Sequence, residues 1–225
     1  MIVYEQPARS DRGDAAFLRE RELVEEATAA VSVFVEVGHP IPLAVLSCAG
    51  EGSSYDPEER RMEICYDEVS ETRGLFRQAG REHADGEVSA VLLETLFHET
   101  AHALIDFLHI EVTGAEEDFA DQFAAVMLLR KGSTGERQLI LAAEAWRLSA
   151  ATMEDADGSD KDEHASDRQR AVDQLCYVYG SAPVRHRDLV GPTMLPAVRA
   201  VGCAREWATV RDHWVKALGP ARREG

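Results

Sequence analysis

The sequence predicts an α+β fold: a small N-terminal mixed or antiparallel sheet packed on one long helix, followed by a mostly helical C-terminal part. Three observations predict it. Short segments with strand patterning fall in the first 66 residues, and from residue 67 onward helical spacing dominates. His98-Glu99-Thr100-Ala101-His102 then sits inside the strongest of those helical patterns. Strands first and helices afterwards is the order of a sheet with helices gathered on one side. At 225 residues the chain suits one domain over 1–225, with approximate lobes at 1–110 and 111–225.

Taken in order, Ile2-Val3-Tyr4-Glu5 is the first strand. Asp14 to about Val31 reads as one helix with Phe17, Leu18, Leu23, Val24 and Ala27 inward, and Gly38-His39-Pro40 breaks the chain. Ile41 to Cys48 and Arg61 to Tyr66 read as strands, with a turn region at Tyr55-Asp56-Pro57 between them. Helices follow near 69–79, 86–109, 115–131, 135–152, 166–180 and 203–218. Glu154 to Glu163 is a charge-rich loop. It fails the EF-hand pattern counted from Asp155, because Asp160 stands where Gly is needed and Ser166 where Glu is needed. It reads as a solvated loop.

The chemistry lies in the helix near 86–109. Val88, Val91, Leu92, Leu96, Ala101, Leu104, Ile105 and Leu108 recur at helical spacing through it. Histidines four residues apart share one helix face, one turn from each other. Two neutral imidazoles so placed can grip one Zn²⁺, with Glu99 able to take a proton from its water. The alternative is a surface stripe of His and Glu on an amphipathic helix.

A catalytic zinc takes three protein ligands. The metzincin pattern is excluded, since Ile105 and Leu108 stand where Gly and His are needed. His109 lies about 10 Å along the helix axis from His102, too far to share an ion. It reads as a helix-end histidine favoured by the dipole. The remaining source is the following helix, Thr113-Gly114-Ala115-Glu116-Glu117-Asp118-Phe119-Ala120-Asp121. Thr113 and Glu116 have capping-box spacing, which leaves Glu117 as the free carboxylate. Glu116 and Asp118 read as an acidic first turn. Asp121 shares a face with Glu117 and can accept the outer N–H of a ligand histidine. Phe119, Phe123, Val126 and Met127 pack the other face, and Gly132 ends the helix.

His-Glu-x-x-His followed by Glu-x-x-Ala-Asp resembles the gluzincin metallopeptidases. More closely, the chain resembles a metallopeptidase-like family that carries the label of a domain of unknown function. The likeness extends to Cys48, Tyr55-Asp56-Pro57, Cys65-Tyr66, Asp162-Glu163-His164, Gln169-Arg170, Cys176 and Tyr179-Gly180-Ser181. It implies His98, His102 and Glu117 as ligands of one Zn²⁺ per chain, Glu99 as general base and Asp121 behind a ligand histidine. It also implies a peptide or protein substrate. In gluzincin-like chemistry a downstream histidine or tyrosine donates to the oxyanion. His164 is the candidate here, ahead of Tyr177, Tyr179 and Arg170, against the plainer reading of a loop histidine bonded to a carboxylate. One departure is that the substrate strand of gluzincins carries Asn-Ala, where this chain reads Gly52-Ser53-Ser54-Tyr55. An edge strand still offers its main chain to a peptide. The rival functions are a zinc-stabilised peptide- or protein-binding module without turnover and a zinc hydrolase of non-peptide amides or esters.

A net charge of −17 argues against nucleic acid and anionic membranes as partners. No apolar run is long enough for a transmembrane segment, and no signal-peptide pattern opens the chain. The four cysteines allow three pairings. Cys48 and Cys65 flank what reads as a hairpin, and Cys176 and Cys203 lie on late segments, so Cys48–Cys65 and Cys176–Cys203 are the expected pairs. Two disulfides imply an oxidising compartment and a secreted or periplasmic mature form. Free buried thiols in a cytosolic protein are the alternative. His39, His83, His186 and His213 have no partner spacing and read as surface residues.

Overall fold

The computed structural model describes residues 1–153 and 166–223. The fold is α+β, as expected. Four short strands come from the first 65 residues: β1 (Ile2–Tyr4), β2 (Leu43–Leu46), β3 (Ser54–Asp56) and β4 (Arg61–Cys65). They form one mixed sheet in the order β1-β2-β4-β3. β1 pairs parallel with β2, β2 parallel with β4, and β3 antiparallel with β4. The segments carrying Cys48 and Cys65 are therefore not the two arms of a hairpin. The hairpin is β3–β4, and the excursion through β3 lets β4 return parallel to β2. The turn region around Tyr55 is itself an edge strand.

The first helical segment is two helices, α1 (Arg12–Arg21) and α2 (Leu23–Phe34), separated by Glu22 in the left-handed conformation at φ +52°. On one continuous helix the five predicted inward residues would spread over an arc of about 220°. The break brings all five into the core: Phe17, Leu18, Leu23, Val24 and Ala27 are buried. The remaining helices are α3 (Glu68–Gln78), α4 (Asp85–Leu108), α5 (Glu116–Leu129), α6 (Ser133–Met153), α7 (Asp167–Ser181) and α8 (Ala197–Leu218). α8 starts earlier than periodicity indicates because Pro196 sits at its N-cap, where a missing N–H costs nothing.

α4 is the axis of the fold. It packs against α2, α3, α5 and α6 and touches β3 and β4. Fourteen of its 24 residues are buried, so its apolar stripe is wrapped almost all round. Met62 and Ile64 of β4 belong to the same core, and Thr100 of α4 lies with its hydroxyl 3.9 Å from the Met62 sulfur. His109 ends α4 in the left-handed conformation, as a C-cap. At the other side α8 locks the start of α5. Trp214 Nε1 donates to the carbonyl of Phe119 at 3.0 Å, and the two rings stack with centroids 4.1 Å apart.

Both expected cysteine pairs lie at disulfide distance. Cys48–Cys65 (Cα–Cα 5.4 Å) ties the ends of the parallel strands β2 and β4, and Cys176–Cys203 (5.1 Å) ties α7 to α8. Helices α7 and α8 also approach closely at Gly180. A Cβ there would overlap the Cys203 carbonyl and stand 2.9 Å from Trp207 Cβ. Gly180→Ala is therefore expected to destabilise the fold by about 1–3 kcal/mol through overpacking. Urea unfolding measures this, and an unchanged midpoint would contradict the close approach.

Candidate metal centre

Two helices meet at the site. Helical spacing places His98 and His102 on one face of α4, and the same spacing places Glu117 and Asp121 on one face of α5. The facing atoms form a small triangle. His98 Nε2 lies 3.1 Å from Glu117 Oε2 and 3.2 Å from His102 Nε2, and His102 Nε2 lies 3.5 Å from Glu117 Oε2. Ligand atoms around a tetrahedral zinc at ordinary bond lengths stand about 3.3 Å apart. The donor set thus fits a single ion.

Each imidazole has a carboxylate behind it. His98 Nδ1 is 2.8 Å from Asp121 Oδ1, and His102 Nδ1 is 2.8 Å from Glu116 Oε1. An ionised carboxylate only accepts, so both Nδ1 atoms carry the proton and donate outward. In the neutral rings that leaves both Nε2 lone pairs pointing inward. Asp121 is gripped in turn by Arg170, whose Nε donates to Oδ2 at 2.8 Å and whose Nη2 donates to Oδ1 at 2.5 Å.

In this triangle a proton competes with a cation. Burial works against charge on His98, but hydrogen bonds to Asp121 and Glu117 outweigh it and push the imidazole up to about 10. His102 shifts upward too: its burial is outweighed by Glu117 and Glu116. Glu117 is held well below the usual carboxylate range, because hydrogen bonds from His102 and His98 overcome its own burial.

A cleft of about 520 Å³ opens over the triangle, between Ser53–Pro57 on one side and His98, Glu99, His102 and Glu117 on the other. Glu99 is buried in its wall. Behind the strand side, burial pushes Glu68 up to about 7, with the Ser53 hydrogen bonds opposing and nearby Glu99 adding to the rise. The strand is fastened at both ends. Ser53 N–H donates to Glu68 Oε1 at 2.6 Å, and Ser53 Oγ accepts from Cys65 N–H at 3.0 Å. Tyr55 OH donates to Asp106 Oδ2 at 2.5 Å, and Arg60 Nε donates to the same oxygen at 2.8 Å.

The register of β4 decides which atoms the edge presents. Met62 N–H bonds to Pro42 O and Tyr66 N–H to Leu46 O, so the even residues of β4 face β2 and the odd ones face β3. Glu63 and Arg61 then bond to Ser54 and Asp56. Tyr55 turns its N–H and C=O away from the sheet. Pro57 has no N–H, and that of Ser53 is taken by Glu68.

The structure brings together His98, His102, Glu117 and Asp121, with Glu99 in the same cleft; His164 and the loop Glu154 to Glu163 lie outside the described residues. Arg170 and Tyr177 are not at the cleft but line a second cavity of about 320 Å³ behind Asp121. The capping box is not formed: α5 begins at Glu116 itself, with Ala115 at the N-cap, so Thr113 is too far back to cap. Glu116 is thereby released to His102, a role its cap spacing concealed. His186 is buried beside Glu136, 3.1 Å away, rather than at the surface. Among the described residues a second cluster, Cys48, Cys65 and Asp67, also has metal-like spacing, but its two sulfurs are joined to each other.

A family model described as "Putative metallopeptidase" matches residues 4–218 of the chain. No curated protein matches the chain, and no solved structure does.

The proton-held triangle has a pH signature. A group whose pKa is raised on folding stabilises the fold below its unfolded value and loses that contribution as pH climbs through the folded one. For His98 that window runs from about 6.5 to about 10. In excess chelator, the denaturation midpoint should fall across this range, and His98→Gln should flatten the slope. A wild-type midpoint that holds constant from pH 7 to 10 would contradict the pairing.

Proposed function

The chain belongs to that metallopeptidase family, and from this premise we propose that it is a zinc-dependent peptidase with one Zn²⁺ per chain held by His98, His102 and Glu117. The observation that carries the reading is the triangle of 3.1, 3.2 and 3.5 Å among three inward-facing ligand atoms. Two imidazole Nε2 atoms at that separation repel unless a proton or a cation lies between them. The outward hydrogen bonds to Asp121 and Glu116 keep both rings in the tautomer that binds a metal.

Zinc bound there supplies Lewis acidity and lowers the pKa of a coordinated water toward about 7. Glu99 is adjacent in sequence to a ligand but is not one, and it faces the same cleft. It accepts the proton of the attacking water and returns it to the leaving amine. The substrate lies extended along β3, pairing with the N–H and C=O of Tyr55. Pro57 on one side and the Glu68–Ser53 bond on the other limit this main-chain recognition to a short stretch. Main-chain pairing of this kind takes over from the Asn-Ala clamp that Gly52-Ser53-Ser54-Tyr55 lacks. His164 is proposed as the oxyanion donor from its place in the sequence. The two cysteine pairs support a secreted or periplasmic setting.

Glu99→Gln separates this reading from that of an inert binding module. The variant should keep its zinc and lose hydrolysis of a peptide panel by about 10²-fold or more. Full activity in the variant would remove Glu99 from its role. A zinc-loaded wild type that binds the peptides without cleaving them would replace the peptidase with the module.

A further inference from the structure

We infer that Arg170 is a positioning residue for the metal centre, acting through Asp121 on His98; the inference rests on the proposed metal reading. Asp121 meets His98 Nδ1 through its Oδ1, 2.8 Å away. A carboxylate held at one point can rotate about its own bond and carry the imidazole with it. Arg170 removes that freedom. Its Nε and Nη2 reach the two carboxylate oxygens separately, 2.8 and 2.5 Å away, which fixes the plane of the group as well as its place. Arg170 and Asp121 are 7% and 9% exposed, so water competes weakly for these bonds.

Arg170 is itself fixed from two directions. Its guanidinium lies 3.7 Å over the ring of Trp146 on α6. Its backbone sits in the first turns of α7, where Ser166 caps the helix by accepting from Gln169 N–H. The guanidinium also balances buried negative charge. Glu94, one turn before His98 on α4 and 1% exposed, lies in its field together with Asp121. Gln174 Nε2 donates to Glu94 at 2.7 Å, so α7 supplies both the cation and the amide that accommodate these carboxylates. Lysine supplies the charge without the paired donors, so the substitution Arg170→Lys isolates the positioning contribution.

The test uses the full chain with Arg170→Lys, Arg170→Gln, Asp121→Asn and the double variant Arg170→Lys/Asp121→Asn. Zinc dissociation constants come from competition with a chromophoric chelator, and coordination geometry from the visible absorption of the Co²⁺-substituted protein. Arg170→Lys is expected to weaken zinc binding about 10–100-fold and to shift the cobalt bands although all three ligands remain. In the Asp121→Asn background the same substitution should add less than about threefold, because its route to His98 is already broken. A merely structural Arg170 would lower the unfolding midpoint and leave the cobalt spectrum alone. Unchanged zinc affinity and unchanged cobalt bands in Arg170→Lys would overturn the inference, as would fully multiplying effects in the double variant. Should Arg170→Gln not fold, the lysine series decides alone. A wild-type chain that takes up neither metal defeats the metal reading itself, which is a different failure.

Discussion

Two imidazole nitrogens and a carboxylate oxygen must be held face to face at little more than 3 Å, and the rest of the structure is arranged around that constraint. Left to themselves, the two rings would turn apart or take up a proton. They are stopped by carboxylates on their far sides: Asp121 behind His98 and Glu116 behind His102. These differ in kind. The Asp121 bond is buried and backed by a guanidinium, whereas Glu116 is half-exposed at the first residue of its helix. Water screens the second pair more than the first, so His98 is the more firmly set of the two rings.

Holding the triangle requires α5 to dock on α4 in one register. The stack of Phe119 on Trp214, two residues after Glu117, fixes the start of α5 against α8. The cleft wall meets a parallel demand. β3 has only three residues, too few to hold itself by pairing, and it is fastened by Glu68 at one end and by Asp106 with Arg60 at the other. Asp106 lies one turn beyond His102 on α4. The helix that carries the histidines therefore also sets how far the edge strand stands from them.

Legibility from sequence followed the range of the interactions. His98 and His102 were readable because a spacing of four is local and the helix around them is strongly periodic. Glu117 and Asp121 were readable through the resemblance and their own spacing of four. Arg170 was named only as a weaker oxyanion candidate, and its bond to Asp121 was not foreseen because 49 residues separate the two and no local pattern spans that distance. Glu116 was misread because its cap spacing was a valid local signal that the actual helix start overrode. The break at Glu22 has neither glycine nor proline to announce it. Local pattern read Tyr55-Asp56-Pro57 as a turn, and only the resemblance pointed to an edge strand at Gly52-Ser53-Ser54-Tyr55, because a three-residue strand is defined by its partner, not by its own pattern. The parallel pairing of β2 and β4 escaped for the same reason: it depends on an excursion between them.

Elemental mass spectrometry of the protein as purified, without added metal, tests the central claim most directly. The proposed site on two docked helices predicts about one zinc per chain, removable by chelator and missing from a Glu117→Ala variant. A protein that carries no zinc and takes up none on addition would contradict the account, leaving the histidine–carboxylate cluster as a purely structural ion-pair network.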